Sequence, residues 1–210
     1  MNHHIKDRKQ ESQRFQIKVL ANFAGVLPLI LLIGAYVRGE LGFNPIETAL
    51  HDTGIIAVVF LVLSLMVTPL RRILKMPMIW YLRKPLGLYA AAYAGLHFLI
   101  FVWWSYDFNF VRIWQENADK PFILIGVAAL LILIVLAATS FKSSQRKLGK
   151  KWTKLHKTAY LAGVLVILHY LLAIKGNLLT LQGNYTLPLI LGGVLIVFLA
   201  LRLPVFRKNR

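Results

Sequence analysis

Lys151-Trp152-Thr153-Lys154-Leu155-His156, then Lys157-Thr158 and an almost wholly apolar run ending Leu168-His169-Tyr170, is the stretch from which the rest of the chain is read. It puts an imidazole at each end of a segment long enough to cross a bilayer. The thirteen-residue step from His156 to His169 rises about 20 Å on an α-helix. That is most of a hydrocarbon core about 30 Å thick. A histidine inside hydrocarbon is costly without a partner, so each imidazole marks a functional position, one near each membrane face.

Composition agrees with that reading. The chain has 210 residues, is 58% hydrophobic and has a mean hydropathy of +0.62, values of an integral membrane protein. Its formal net charge is +17, but the basic residues avoid the apolar runs and gather between them, which fits membrane topology rather than nucleic-acid binding. There is no cysteine, which excludes disulfides, thiolate metal sites and iron–sulfur clusters. The first 18 residues are polar and no small-residue cleavage site follows the first apolar run, so that run is expected to be a retained span.

Six apolar runs can be marked, at 19–37, 54–70, 86–104, 121–140, 158–174 and 187–203, each about the length of a membrane-crossing helix. The second is among the shortest and has the least defined ends. No repeat between spans stands out. Segments 1–18, 71–84, 142–157 and 202–210 carry five, five, seven and four Lys/Arg, against one, two and one in 38–53, 105–120 and 175–186. The basic side is expected to be cytoplasmic. The expected fold is therefore an all-α integral membrane protein, a bundle of six transmembrane helices with both termini cytoplasmic. Residues 1–18 would be a cytoplasmic tail, 19–203 the helical domain and 204–210 a basic cytoplasmic tail.

The histidines sort by depth. His3 and His4 lie in the polar N-terminal tail and are expected to be solvated. His51 precedes the second run on the outer side. His97 lies about two-thirds of the way through the third run, toward the outer face, and His169 reaches similar depth in the fifth. Facing imidazoles on two helices are the arrangement that ligates a haem iron from both sides. His156 lies at the inner end. Fourteen residues before His97 stands Arg83, where a fourth ligand would be expected, but guanidinium stays protonated and suits a haem propionate or a flavin phosphate better. On an ideal helix His156 and His169 point about 140° apart, so both serve stacked cofactors only if the fifth span is bent, locally overwound or buried on two sides. Spacing alone leaves open haem binding, histidines hydrogen-bonded between helices, and a proton relay.

Other features have plainer readings. Trp103, Trp104 and Tyr106 end the third run as an aromatic belt or a docking surface. Arg71, Arg72, Lys75, Arg146, Lys147, Lys150 and Lys151 form an inner basic rim that contacts lipid phosphate, with a share available for propionates or FMN phosphate. His51 either lies near an outer haem edge or quinol headgroup, or caps the second span with Thr53. Gly192-Gly193 marks close helix packing rather than a nucleotide loop. No glycine-rich fingerprint follows a strand, no acid–base pair for substrate chemistry is evident, and the chain is expected to act as a conduit without a nucleotide domain.

Taken together, several short motifs resemble a known family. They are Leu41-Gly42-Phe43-Asn44-Pro45-Ile46-Glu47, His51-Asp52-Thr53-Gly54, Thr68-Pro69-Leu70-Arg71-Arg72, Leu86-Gly87-Leu88, Ala94-Gly95-Leu96-His97, Pro121-Phe122-Ile123 and Thr139-Ser140. Arg146-Lys147-Leu148-Gly149-Lys150-Lys151-Trp152, Leu155-His156 and His169-Tyr170 complete the set. In order, spacing and total length the chain from about Gly25 to Lys175 resembles the haem-binding membrane subunits of bacterial periplasmic methionine sulfoxide reductase systems, in the ferric-reductase-like transmembrane superfamily. The resemblance implies one or two b-type haems, with His97, His156 and His169 matching the family's haem histidines, and FMN as an associated cofactor. It implies a bacterial inner-membrane protein that passes electrons from quinol or a cytoplasmic flavin reductase to a periplasmic molybdopterin enzyme. That enzyme reduces methionine sulfoxide in oxidised proteins. Where the family tends to have paired arginines, this chain has Arg83-Lys84-Pro85. The competing expectations are a transmembrane ferric or cupric reductase and, in another class, a small proton-coupled transporter using the three histidines. No Asp or Glu lies inside an apolar run, which speaks against the transporter.

Overall fold

The computed structural model describes residues 2–174 and 183–202; of the side chains of residues 2–7 and 9 nothing is said. Among the described residues every regular element is helical. Helix α1 spans Asn2–Val37 and α2 Pro45–Ile73. A 3₁₀ helix, Pro77–Leu82, leads into α3, Arg83–Leu99, which continues as a π-helical turn, Ile100–Trp104. Then come α4, Phe110–Asn117; α5, Pro121–Ala138; α6, Lys142–Leu148; α7, Lys150–Leu155; α8, Thr158–Ala173; and α9, Thr186–Ala200. Five segments are long and apolar enough to cross a membrane: Gln10–Val37, Pro45–Ile73, Pro77–Trp104, Pro121–Ala138 and Lys150–Ala173. The sixth apolar run forms α9, a shorter apolar helix. The chain is a multi-pass helical membrane protein.

Helix starts follow local chemistry. Asn44 caps α2, its Oδ1 accepting from the Glu47 N–H at 3.2 Å, and Pro45 opens the first turn, where a missing N–H costs nothing. Pro121 opens α5 in the same way. The second span, expected to be short, is in fact 29 residues long and more buried than the other four. Its first two turns carry Glu47, His51, Asp52 and Thr53, whose polarity hid the helix from a hydropathy reading. Thr53 is wholly buried and does not cap anything: its hydroxyl turns back on the Ala49 carbonyl at 2.7 Å. The expected His51–Thr53 cap is therefore wrong. Asn44, seven residues before His51, holds that place.

The core gathers round α2. Leu61, Val62 and Leu65 pack with Tyr93 of α3, Leu133 of α5, Ala162 and Ile167 of α8, and Leu195 of α9. Two antiparallel hairpins, α2–α3 and α5–α8, make up most of this bundle. Gly192 brings α9 against Ile167, where an added Cβ would lie 3.1 Å from its methyl group, so close packing holds for Gly192, while Gly193 faces open space. Helix α1 lies outside the core, with Leu20, Phe23, Ile30 and Leu31 exposed as a lipid-facing side. It is tied to α3 by the Tyr93 hydroxyl, which donates to the Gly25 carbonyl at 2.8 Å, and more loosely by Tyr89 toward Asn22 at 3.3 Å.

Removing the shorter of these bonds should loosen α1. Tyr93→Phe is expected to lower stability by about 1 kcal/mol, with Tyr89→Phe costing less. Thermal unfolding in mild detergent reads both; equal or absent effects would show that α1 is held by apolar contact alone.

Candidate functional site

His97 and His169 meet. Their ring centroids are 6.2 Å apart with the planes at 87°. Each ring is fixed by the helix across its own hairpin. His97 Nδ1 lies 2.8 Å from the Leu50 carbonyl oxygen, and His169 Nδ1 lies 2.7 Å from that of Phe122. A carbonyl only accepts, so in each ring Nδ1 carries the proton and donates, leaving the Nε2 lone pair free to ligate. In both cases the acceptor stands 47 residues before the histidine. In both a glycine follows the acceptor by one turn, Gly54 after Leu50 and Gly126 after Phe122. A Cβ there would lie 3.0 Å from His97 Nδ1 and 2.7 Å from His169 Nδ1. The glycines are what let the rings reach the carbonyls.

The two halves thus repeat with a shift of 72 residues, from His97 to His169. The same shift carries Ala90 onto Ala162, both fully buried, and Leu61 onto Leu133, both in the core. No repeat stands out between the spans as sequence, yet these positions correspond in space. The repeat is one of positions facing the neighbouring helix, while the lipid-facing residues between them differ, so overall similarity is low.

Could the pair hold a metal group? Two metal–imidazole bonds of about 2 Å, plus about 1.2 Å from each nitrogen to its ring centre, sum to about 6.4 Å, close to the observed spacing. Among the described residues no cluster of three or more His, Asp or Glu could hold a bare ion. A group that brings its own equatorial donors and needs two axial imidazoles fits this donor set; a bare ion does not.

His156 stands apart, at the other end of α8. Its Nε2 is 3.1 Å from Thr139 Oγ1, and its ring stacks on Trp152 at 4.1 Å and 27°. Trp152 Nε1 in turn donates to the Thr139 carbonyl at 2.9 Å. The Thr139 hydroxyl lies 2.7 Å from the Val135 carbonyl and spends its proton there, so at His156 it accepts. The helix is interrupted at this point. His156 and Lys157 form a turn between α7 and α8, with the Lys157 N–H bonding back to the Lys154 carbonyl at 3.2 Å. That three-residue closure overwinds the chain locally. At about 20° extra per residue it brings the two histidines of this span from about 140° to about 100° apart.

The basic candidates lie at the same end. The guanidinium carbons of Arg71 and Arg83 sit 5.0 and 5.3 Å from the centre of the Trp80 ring, and Arg83 is within electrostatic reach of His156. Arg72 belongs to the last turn of α2. Lys84 Nζ donates to the Ser140 carbonyl at 2.7 Å, closing the end of α5. His51 is not drawn into the histidine pair. It is exposed, with Nδ1 3.5 Å from Asp52 Oδ1. The side chains of His3 and His4 lie outside the described ones. Sequence reasoning missed the roles of Gly54, Gly126 and Trp152, and it missed Arg202. A glycine one turn after the hairpin carbonyl was the signal for the first two.

The fold and the facing imidazoles define a class, helical membrane proteins with a pair of histidines held between two hairpins. The family model of the ferric reductase like transmembrane component matches residues 53–167. Over 195 residues the chain is 36% identical to the protein-methionine-sulfoxide reductase heme-binding subunit MsrQ of Bordetella pertussis, covering 93% of this chain and 92% of that one. It is 45% identical over 152 residues to the MsrQ of Deinococcus radiodurans, 72% of this chain and 75% of that one. The chain belongs to the MsrQ family of ferric-reductase-like transmembrane proteins.

The glycine requirement can be tested without any cofactor. Gly126→Ala should destabilise the protein by about 1–3 kcal/mol through overpacking, and Gly54→Ala by less, since its contact is longer. Gly95→Ala and Gly193→Ala, where an added Cβ meets nothing within 4 Å, should be neutral or slightly stabilising. Unfolding midpoints in detergent provide the comparison.

Proposed function

We propose that this protein is a haem b electron carrier of the bacterial inner membrane. In this reading six helices cross the bilayer, with α9 as the sixth span and both termini in the cytoplasm. His97 and His169 would hold an outer haem through their Nε2 atoms. The observation that carries this reading is their 6.2 Å approach, each Nδ1–H already committed to a carbonyl. The Leu50 and Phe122 carbonyls hold the tautomer, orient the rings and raise the basicity of the ligating nitrogens. Haem, when bound, supplies one-electron redox chemistry, and the surrounding bundle supplies a dry pocket.

His156 is the protein ligand of an inner haem. For Nε2 to ligate, its proton must pass to Nδ1 and its contact with Thr139 must break, while the Trp152 stack keeps the ring in place. Arg83, Arg71 and Arg72 hold propionates or the phosphate of FMN, as permanent cations near a membrane face require an anion. The donor is quinol or a cytoplasmic flavin reductase. The acceptor is a periplasmic molybdopterin enzyme that reduces methionine sulfoxide; in support, the MsrQ relatives are named heme-binding subunits of a protein-methionine-sulfoxide reductase. His51, exposed on the outer side beside Asp52, is positioned for a quinol headgroup or the outer haem edge.

Purified from haem-replete cells, the protein should show a Soret band that shifts on dithionite reduction. His97→Ala and His169→Ala should each abolish the outer haem by pyridine haemochrome assay, and full haem content in both variants would end this reading. For orientation, Lys150→Cys supplies a single thiol in a chain without cysteine. It should resist a thiol reagent confined to the periplasm; labelling in intact cells would invert the topology.

A further inference from the structure

Arg202 follows α9 and turns back into the bundle. Its Nη2 donates to the Leu65 carbonyl of α2 and its Nη1 to the Tyr160 hydroxyl of α8, while its Nε is buried with no hydrogen-bond partner. The first bond has a local cause. The Leu65 carbonyl would bond the N–H four residues on, but that residue is Pro69, which has none. The guanidinium takes the freed carbonyl. Both of these partners are neutral, so neither offsets the charge. Arg83 and Arg72 are close enough to repel Arg202 electrostatically. Carboxylates are scarce at this end of the bundle. Six of the eight in the chain fall in 38–53 and 105–120, in or beyond the opposite ends of α2 and α3, and the other two are Asp7 and Glu11 in α1. Among the described residues this half-buried guanidinium, with an orphaned N–H and like-charged neighbours, has no carboxylate against it. Tyr160, moreover, follows His156 by one turn.

We propose that Arg202, with Arg83 and Arg72, forms an oxyanion-binding site at the α2–α8–α9 junction, taking a carboxylate or phosphate of a cofactor seated beside His156 or of a lipid headgroup. The planar fork suits a bidentate oxyanion. Only the cofactor arm rests on the haem and flavin reading above; the lipid arm does not.

The test compares the wild-type full chain, purified in mild detergent, with Arg202→Gln and Arg202→Lys. Gln keeps a donor for the Leu65 carbonyl and removes the charge; Lys keeps the charge and removes the fork. Three contents are measured per protein: haem by pyridine haemochrome, flavin by fluorescence after acid release, and co-purified anionic phospholipid by mass spectrometry. Arg202→Gln should at least halve one of them, with Arg202→Lys between it and wild type, and the content that falls names the source of the oxyanion. All three contents unchanged in Arg202→Gln would overturn the proposal. Should that variant fail to fold, Arg202→Lys decides alone, since unchanged contents there exclude bidentate binding. A wild-type protein without haem or flavin refutes the electron-carrier reading but still leaves the lipid measurement to decide this one.

Discussion

An imidazole placed in hydrocarbon must give its N–H to an acceptor, and in this bundle the acceptor is a main-chain carbonyl of the facing helix. That carbonyl is already bonded within its own helix, so it takes the imidazole as a second donor on its remaining lone pair. The approach is possible only where the next turn of the helix carries no side chain. Glycine at 54 and at 126 meets that condition. The arrangement decides the tautomer, the ring orientation and the separation of two hairpins at once. It also sets the 6.2 Å approach of His97 to His169.

The repeat of 72 residues makes the His97–His169 end symmetric and shows where symmetry fails. Carried back by the same shift, His156 falls on Lys84. Lys84 turns its ammonium to the Ser140 carbonyl at the end of α5 and competes for no metal. The inner end is therefore built differently. One imidazole rests on Trp152 and Thr139, with Arg83 nearby. One end thus holds two matched imidazoles on main-chain carbonyls, and the other a single imidazole on exchangeable side-chain contacts.

Much of this was legible in the residues. The five long spans and the depth match of His97 with His169 follow from hydropathy and counting, because hydrocarbon thickness leaves few alternatives. The start of α2 was not legible, since Glu47, His51 and Asp52 are polar residues in what proves to be helix, and the cap signal Asn44-Pro45 was passed over. The carbonyl acceptors were invisible in principle: Leu50 and Phe122 act through their backbones, and no side-chain pattern reports that. Gly54 and Gly126 were visible as residues but not as a pair until the hairpins set them opposite imidazoles. Arg202 read as one more charge of a cytoplasmic tail, because its role depends on Pro69, distant in sequence, having freed a carbonyl.

The turn at His156–Lys157 reconciles the two histidines of one span. A continuous helix would point them to nearly opposite sides, and only one could face the bundle interior. Breaking the helix frees Lys151, Lys154 and Lys157 to leave the apolar surface, while the Trp152–His156 stack and the Trp152–Thr139 hydrogen bond hold the short α7 against the end of α5. The outer histidine sits on an unbroken helix against a fixed carbonyl; the inner one sits on a hinge, held by contacts that exchange without unfolding α8. Reorienting His156 thus costs one hydrogen bond to Thr139, about 1 kcal/mol, and a shift of its proton from Nε2 to Nδ1, and it leaves His169 on its own carbonyl.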